Sequence, residues 1–151
     1  MANMCSVDFR MTFKGKDSSA KFADTFRNKM KEAEAKKEGV RISQDTWLFD
    51  TTLEHDDNSS ITIRGWVNWG LTHEAIREFV KGLEVYELNS LECEYEEIGN
   101  LIYGKYEYHN GELWDSFIPE GSQVWNNYDD DDYYDLLEEA LEDDGESVMV
   151  A

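Results

Sequence analysis

Between Asp129 and Glu146, 11 of 18 residues are Asp or Glu and none is Lys or Arg. A block of this kind usually stays solvated, because like charges repel and too little apolar surface is available to offset the entropy of ordering. Tyr133, Tyr134, Leu137, Ala140 and Leu141 depart from that pattern. They recur at i, i+3/i+4, i+7 and i+8, the spacing that gathers side chains on one face of a helix. The block is therefore read as an acidic helix with a seam to dock, and a solvated tail is the alternative. Its charge is part of a wider asymmetry. Residues 1–82 hold 13 basic and 13 acidic side chains, whereas residues 83–151 hold one basic residue, Lys105, against 21 acidic ones. The whole net charge of -20 belongs to the second half.

Ahead of that block the chain has the composition of an ordinary folded domain, with 40% hydrophobic and 13% aromatic residues, too rich for disorder. Cys5, Val7, Phe9, Met11 and Phe13 alternate with polar residues and predict a half-buried strand ended by Gly15. A helix capped by Asp17 or Ser18 follows, its apolar face Phe22, Phe26, Met30 and Ala33 running to a stop at Gly39. Alternation from Thr46 to Leu53 and from Ile61 to Val67, around the turn Asp56-Asp57-Asn58-Ser59, predicts a hairpin. Thr72 is placed to cap a second helix that buries Ile76, Phe79, Val80 and Leu83, with Leu71 as its hydrophobic staple. Leu91, Cys93 and Tyr95 then alternate with Glu92, Glu94 and Glu96, giving a strand with a row of carboxylates on one side. Asn110-Gly111 joins Leu101–Tyr108 to Glu112–Phe117 in a second hairpin.

The expected fold is α+β: a ferredoxin-like sandwich of βαββαβ order, extended by a C-terminal β-hairpin and an acidic helix. We expect a domain over residues 1–118 and an acidic helical appendage over 119–151. Cys5 and Cys93 fall on the apolar sides of two strands that are neighbours in such a sheet, so both are expected to be buried, reduced thiols.

Three stretches resemble the YubB-type ferredoxin-like proteins of bacterial plasmids and phages. They are Ala2-Asn3-Met4-Cys5 leading into a strand that closes on Gly15, the segment Trp66 to Leu83 with Trp69 ahead of the second helix, and Glu94-Tyr95-Glu96-Glu97-Ile98-Gly99 followed by Tyr103-Gly104. The resemblance covers roughly residues 2–118 and implies the ferredoxin-like fold and a mobile-element origin. It brings no catalytic residues.

Motifs for catalysis or cofactors are incomplete. His73-Glu74-Ala75-Ile76-Arg77 begins like a zinc-protease helix, but Arg77 stands where the second His would be. Counted from Asp129 as a calcium loop, the positions that need Gly and Glu hold Tyr134 and Ala140. No Gly-rich phosphate loop or nucleophile elbow occurs, so no enzyme, cofactor or metal site is expected. Trp66 and Trp69, within Arg64-Gly65-Trp66-Val67-Asn68-Trp69, partly match the aromatic strand on which RNA-recognition domains stack bases. The net charge opposes phosphate, and core or helix-covering roles are the expected ones. No segment reaches the roughly 20 apolar residues of a membrane span, and no signal sequence opens the chain, so a bacterial cytoplasmic location is expected.

What the charge does suggest is imitation of nucleic acid. As one helix, the 18 residues from Asp129 would span about 27 Å with a charge every ~2.5 Å, between the duplex spacing of about 1.7 Å and the single-strand spacing of about 3.4 Å. The expected partner-facing residues are Glu92, Glu94 and Glu96 on the strand, with Asp129, Asp130, Asp131, Asp132, Asp135, Leu137, Glu138, Glu139, Leu141, Glu142, Asp143 and Asp144 on the helix. The expected partner is a basic nucleic-acid-binding host protein, inhibited without catalysis, as in anti-restriction or anti-CRISPR action, and with no direct contact to nucleic acid or membrane. Two alternatives stay open: an adaptor whose acidic tail serves assembly or solubility, and an RNA-binding ferredoxin-like domain.

Overall fold

The computed structural model describes residues 4–56 and 59–151. Ala2 and Asn3 of the resemblance, and Asp57-Asn58 of the predicted turn, lie outside the described residues. The protein is α+β, and the described residues form an eight-stranded antiparallel sheet with three helices. In chain order the elements are β1 (Met4–Phe13), α1 (Lys16–Lys36), β2 (Val40–Ser43), β3 (Thr46–His55), β4 (Ser60–Asn68), α2 (His73–Leu83), β5 (Leu88–Glu97), β6 (Ile102–His109), β7 (Glu112–Phe117), α3 (Tyr133–Asp144) and β8 (Glu146–Met149). Short 3-10 turns occur at Glu84–Tyr86, Ile98–Asn100 and Gln123–Asn127. The strands lie side by side as β2-β3-β4-β1-β5-β6-β7-β8.

The central strand is the one whose sequence alternates most cleanly. Cys5, Val7, Phe9, Met11 and Phe13 are all buried on one face of β1, flanked by Ile61, Ile63 and Val67 of β4 and by Leu91, Cys93 and Tyr95 of β5. Helices α1 and α2 cover that face. Phe79 meets Phe9 with ring centroids 4.9 Å apart, and Phe22 stacks on Phe13 at 5.5 Å. Burying one such aromatic side chain contributes roughly 1.5–3 kcal/mol. Both thiols sit here as free, buried groups, and burial pushes Cys5 up to about 11 and Cys93 well above the usual thiol range.

Several local signals act as the sequence suggests. Thr72 Oγ1 accepts the Ala75 N–H at 3.1 Å and caps α2. Asn110 and Gly111 both take positive φ, 52° and 81°, as the tight turn between β6 and β7 requires. Other signals are displaced. Helix α1 starts at Lys16, ahead of the expected caps, and Ser18 Oγ instead donates to Glu87 while Ser19 Oγ donates to the Lys16 carbonyl. It ends at Lys37, which takes the left-handed conformation and donates its N–H to the Glu34 carbonyl. Strand β2 was not expected, since four residues with only Val40 and Ile42 pointing inward are too short for a periodic signal.

The acidic block is also divided differently. It is not one 18-residue helix: Asp129 to Asp132 form turns, α3 holds 12 residues, and Glu146 already belongs to β8. Gly145 leaves the helix in an extended conformation, and the following residues pair with β7, Phe117 opposite Glu146 and Trp114 opposite Met149. Among the described residues, no helix is long and apolar enough to cross a membrane.

Candidate functional site

The second sheet face, opposite α1 and α2, carries Ser6, Asp8 and Arg10 of β1, Glu92, Glu94 and Glu96 of β5, and Tyr103, Lys105 and Glu107 of β6. Part of it is covered. Tyr103 packs with Ile118, Val124, Trp125, Tyr133 and Leu137 in a second core, against which Leu136, Ala140 and Leu141 also rest. Hydrogen bonds of backbone and side chain fasten the path into α3. The Ile118 N–H donates to the Tyr103 carbonyl at 3.1 Å, and Trp125 Nε1–H donates to the Pro119 carbonyl at 3.1 Å. The Asp132 N–H donates to Asp130 Oδ1 at 2.9 Å, which shapes the run of four aspartates.

The apolar spacing within the acidic block thus has a mate. Leu137 is 0% exposed, so it fastens the helix and does not itself reach a partner; Leu141 is half-buried. Asp129, Asp130, Asp131, Asp132, Asp135, Glu138, Glu139, Glu142, Asp143 and Asp144 are all exposed. No Lys, Arg or His among the described residues forms an ion pair with any of them. Twelve helical residues span about 18 Å, and six acids on that length give one charge per ~3 Å, close to the spacing along a single nucleic-acid strand. Asp143 and Asp144 occupy the last turn, where the helix dipole disfavours anions and each exposed carboxylate costs about 0.3–1 kcal/mol.

The carboxylate row of β5 is less uniform than its sequence suggests. Glu92 accepts from Lys105 Nζ at 3.2 Å, and Lys105 also lies 3.6 Å from Glu107. Glu94 and Glu96 are half-buried and, with Ser6, Asp8, Tyr103 and Tyr134, line a pocket of about 220 Å³ beside the start of α3. Burial, then the charge of Glu94, hold the Glu96 carboxyl above its usual range. Asp8 accepts from Arg64 at 3.2 Å and lies 3.6 Å from Arg10 through one oxygen, while its other oxygen is buried without a hydrogen-bond partner.

Trp66 and Trp69 are neither core nor helix-covering residues. Trp66 is 41% exposed on the second sheet face, opposite Phe49 of β3, and Trp69 is 70% exposed beyond the end of β4. Alternation told which face Trp66 takes, but not that this part of the face is uncovered. Arg64 beside it is engaged by Asp8 and, at 3.5 Å, by Glu54.

One polar network has no counterpart in the expected site. Asp115 of β7 is 5% exposed and accepts from Tyr95 Oη at 2.5 Å on one oxygen and from His73 Nε2 at 2.8 Å on the other. Tyr106 Oη donates to the Leu71 carbonyl at 2.7 Å, and its ring meets the His73 ring edge-on at 5.9 Å. Burial raises both tyrosine hydroxyls far above their usual range, so they act as donors. Gly104 makes the arrangement possible, because a Cβ there would collide with the Tyr95 hydroxyl. The network ties the start of α2 to β5, β6 and β7. The signal for it was Asp115 itself, an acid at an inward position between Leu113 and Phe117.

Among the described residues, no group of three or more His, Cys, Asp or Glu side chains is arranged to hold a metal ion. No protein-family description, curated protein or solved structure matches the chain.

Proposed function

We propose that this is a non-enzymatic phage or plasmid protein that binds and inhibits a basic nucleic-acid-binding host protein through a DNA-mimic-like acidic surface, in the manner of anti-restriction or anti-CRISPR proteins. One observation carries the reading: α3 is docked by Tyr133 and Leu137 while its acids and those of Asp129–Asp132 stay exposed and without ion-pair partners among the described residues. A docked helix holds its charges at fixed positions, and fixed charges steer and orient a basic partner. The acids of the last turn work against the helix's own stability, which is understandable if their purpose lies outside the fold.

The same reading takes β1, α1, β3, β4, α2 and β5 as a ferredoxin-like sandwich into which the short β2 is inserted. Its support is the neighbour order β5-β1-β4-β3, in which each helical connection passes over an intervening strand. The resemblance to YubB-type proteins adds the mobile-element origin and a bacterial cytoplasmic setting. A pull-down on the full chain from bacterial lysate tests the mimic. Nucleic-acid-binding proteins should be retained at low salt and released both by high salt and by added duplex DNA. Retention that duplex DNA cannot displace would sink the proposal.

A second reading, RNA binding, is favoured by Trp66 and Phe49 lying side by side on the sheet face. A net charge of -20 and the engagement of Arg64 by two acids place it behind the first. A gel shift with single-stranded RNA that is lost on Trp66→Ala would reverse the order.

A further inference from the structure

We infer that the pocket between β1, β5, β6 and the start of α3 receives one arginine side chain of the basic partner; the inference rests on the acidic-docking reading above. Register assembles its walls. Asp8 lies opposite Glu94, Ser6 opposite Glu96, and Glu96 opposite Tyr103, so all five share the second sheet face, and Tyr134 adds a wall from α3. The volume of about 220 Å³ is below the roughly 300–1,000 Å³ of sites for drug-sized ligands and suits a single side chain.

The walls hold more acceptors than the fold uses. Arg10 and Arg64 meet Asp8 through Oδ2, and Lys105 turns to Glu92 and Glu107. With these three cations counted, Asp8 Oδ1 is still buried without a partner, and the half-buried Glu94 and Glu96 form no ion pair among the described residues. Tyr103 is 5% exposed and lines the same pocket, yet its hydroxyl makes no hydrogen bond among the described residues. Burial, then the charges of Glu94, Glu138 and Glu96, keep that hydroxyl protonated. Acids placed directly opposite one another destabilise a sheet, and a buried polar group left unpaired costs free energy. A cation in the pocket relieves both.

The geometry selects guanidinium among cations. Among the described residues, no three carboxylates converge as a metal ion requires. Glu94 and Glu96 stand two residues apart on one strand, about 6.6 Å, and Asp8 lies one strand away, about 4.8 Å. Five N–H donors in a planar fork can reach acceptors so separated, whereas an ammonium offers three from a single point. The exposed Tyr134 presents a ring on which the guanidinium plane can stack. Guanidinium is also the more weakly hydrated of the two, which suits a half-buried site.

The test uses the full chain with labelled nona-arginine and nona-lysine peptides, read by fluorescence anisotropy at about 0.15 M salt. Nona-arginine should bind about tenfold tighter or more, the worth of one additional charge-assisted hydrogen bond. Glu94→Gln combined with Glu96→Gln should remove most of that preference. Taking the same charge from α3, by Glu139→Gln with Glu142→Gln, should weaken both peptides alike and keep the preference. Tyr103→Phe, which deletes one hydroxyl, should reduce the preference with every charge intact. The Glu94 and Glu96 double variant relieves repulsion, so its Tm should hold or rise, which separates lost contact from lost fold. Equal binding of the two peptides by the parent overturns the inference while the acidic-docking reading stands. So does a preference that survives the pocket double variant, or that falls as far in the α3 one. If neither peptide binds, that reading fails and the inference falls with it. A rise in Tm with calcium alone that the pocket double variant abolishes would also overturn it, by making the occupant a metal ion.

Discussion

Leu137→Ser should release α3 from the sheet without unfolding the body. The helix is held by two largely buried side chains, Tyr133 and Leu137, with Leu136, Ala140 and Leu141 partly covered. At roughly 1.5–3 kcal/mol for each buried side chain, docking supplies only a few kcal/mol. Part of that is offset by the buried Tyr133 hydroxyl, which has no hydrogen-bond partner, and by the acids of the last turn. Truncating a buried Leu costs about 2–5 kcal/mol, and a serine hydroxyl left in the apolar site adds to it. The loss is comparable to the whole docking energy, whereas the main core around Phe9 and Phe79 is untouched. Hydrogen exchange followed by mass spectrometry should therefore show Tyr133–Asp144 exchanging close to the unprotected rate while Met4–Phe13 keeps its protection. Added salt should partly restore protection of α3 by screening its acids. Unchanged exchange in α3 would refute the reasoning; equal loss of protection in β1 would show that α3 belongs to the same cooperative unit as the core.

Three further outcomes follow from particular residues. Cys5 and Cys93 should react with a thiol reagent only on the timescale of unfolding, since burial disfavours both thiolates; rapid modification of the native chain would contradict the packing. Glu96 is held above its usual range, so the folded chain binds that proton more tightly than the unfolded one, and the associated stability is present at low pH and lost as pH rises through the raised value. Glu96→Gln should then raise Tm slightly at neutral pH, by a small amount because the side chain is only half-buried, and should have no effect in acid; a fall in Tm at neutral pH would show that its charge is stabilising instead. Asp115→Ala should cost about 1–3 kcal/mol in urea unfolding, because Tyr95 Oη loses its acceptor in a buried site while His73, half-exposed, turns to water, and a cost below about 0.5 kcal/mol would mean that water reaches Tyr95 as well.

The sequence was most informative where one element carries its own signal. Alternation in Cys5–Phe13 fixes which side chains enter the core, because each strand residue has only two faces to choose between. Thr72 and Asn110-Gly111 act within a few residues of themselves. The places where it fell short depend on contacts far apart in the chain. His73 and Asp115 are 42 positions apart, and nothing near either names the other. The seam in the acidic block was visible, but its extent was not, because helix and strand meet at Gly145 inside a continuous run of acids. Trp66 shows the same limit on the sheet: period two assigns a face, and only the full packing tells whether anything lies over it.

Strands β7 and β8 are antiparallel neighbours, with Phe117 paired to Glu146, so residues 118–145 form the connection of a hairpin. The acidic helix is an excursion from a single turn, and its two ends leave the sheet about one strand spacing apart, ~4.8 Å. Loop-closure entropy grows only slowly with length, so this excursion costs about 2 kcal/mol more than a two-residue turn, an amount that docking of α3 can offset. The pairing of β7 with β8 is made by the strands' own backbone groups and by none of the acids of this connection. Charge number, helix length and even the identity of the inserted element can therefore vary while the scaffold stays as it is.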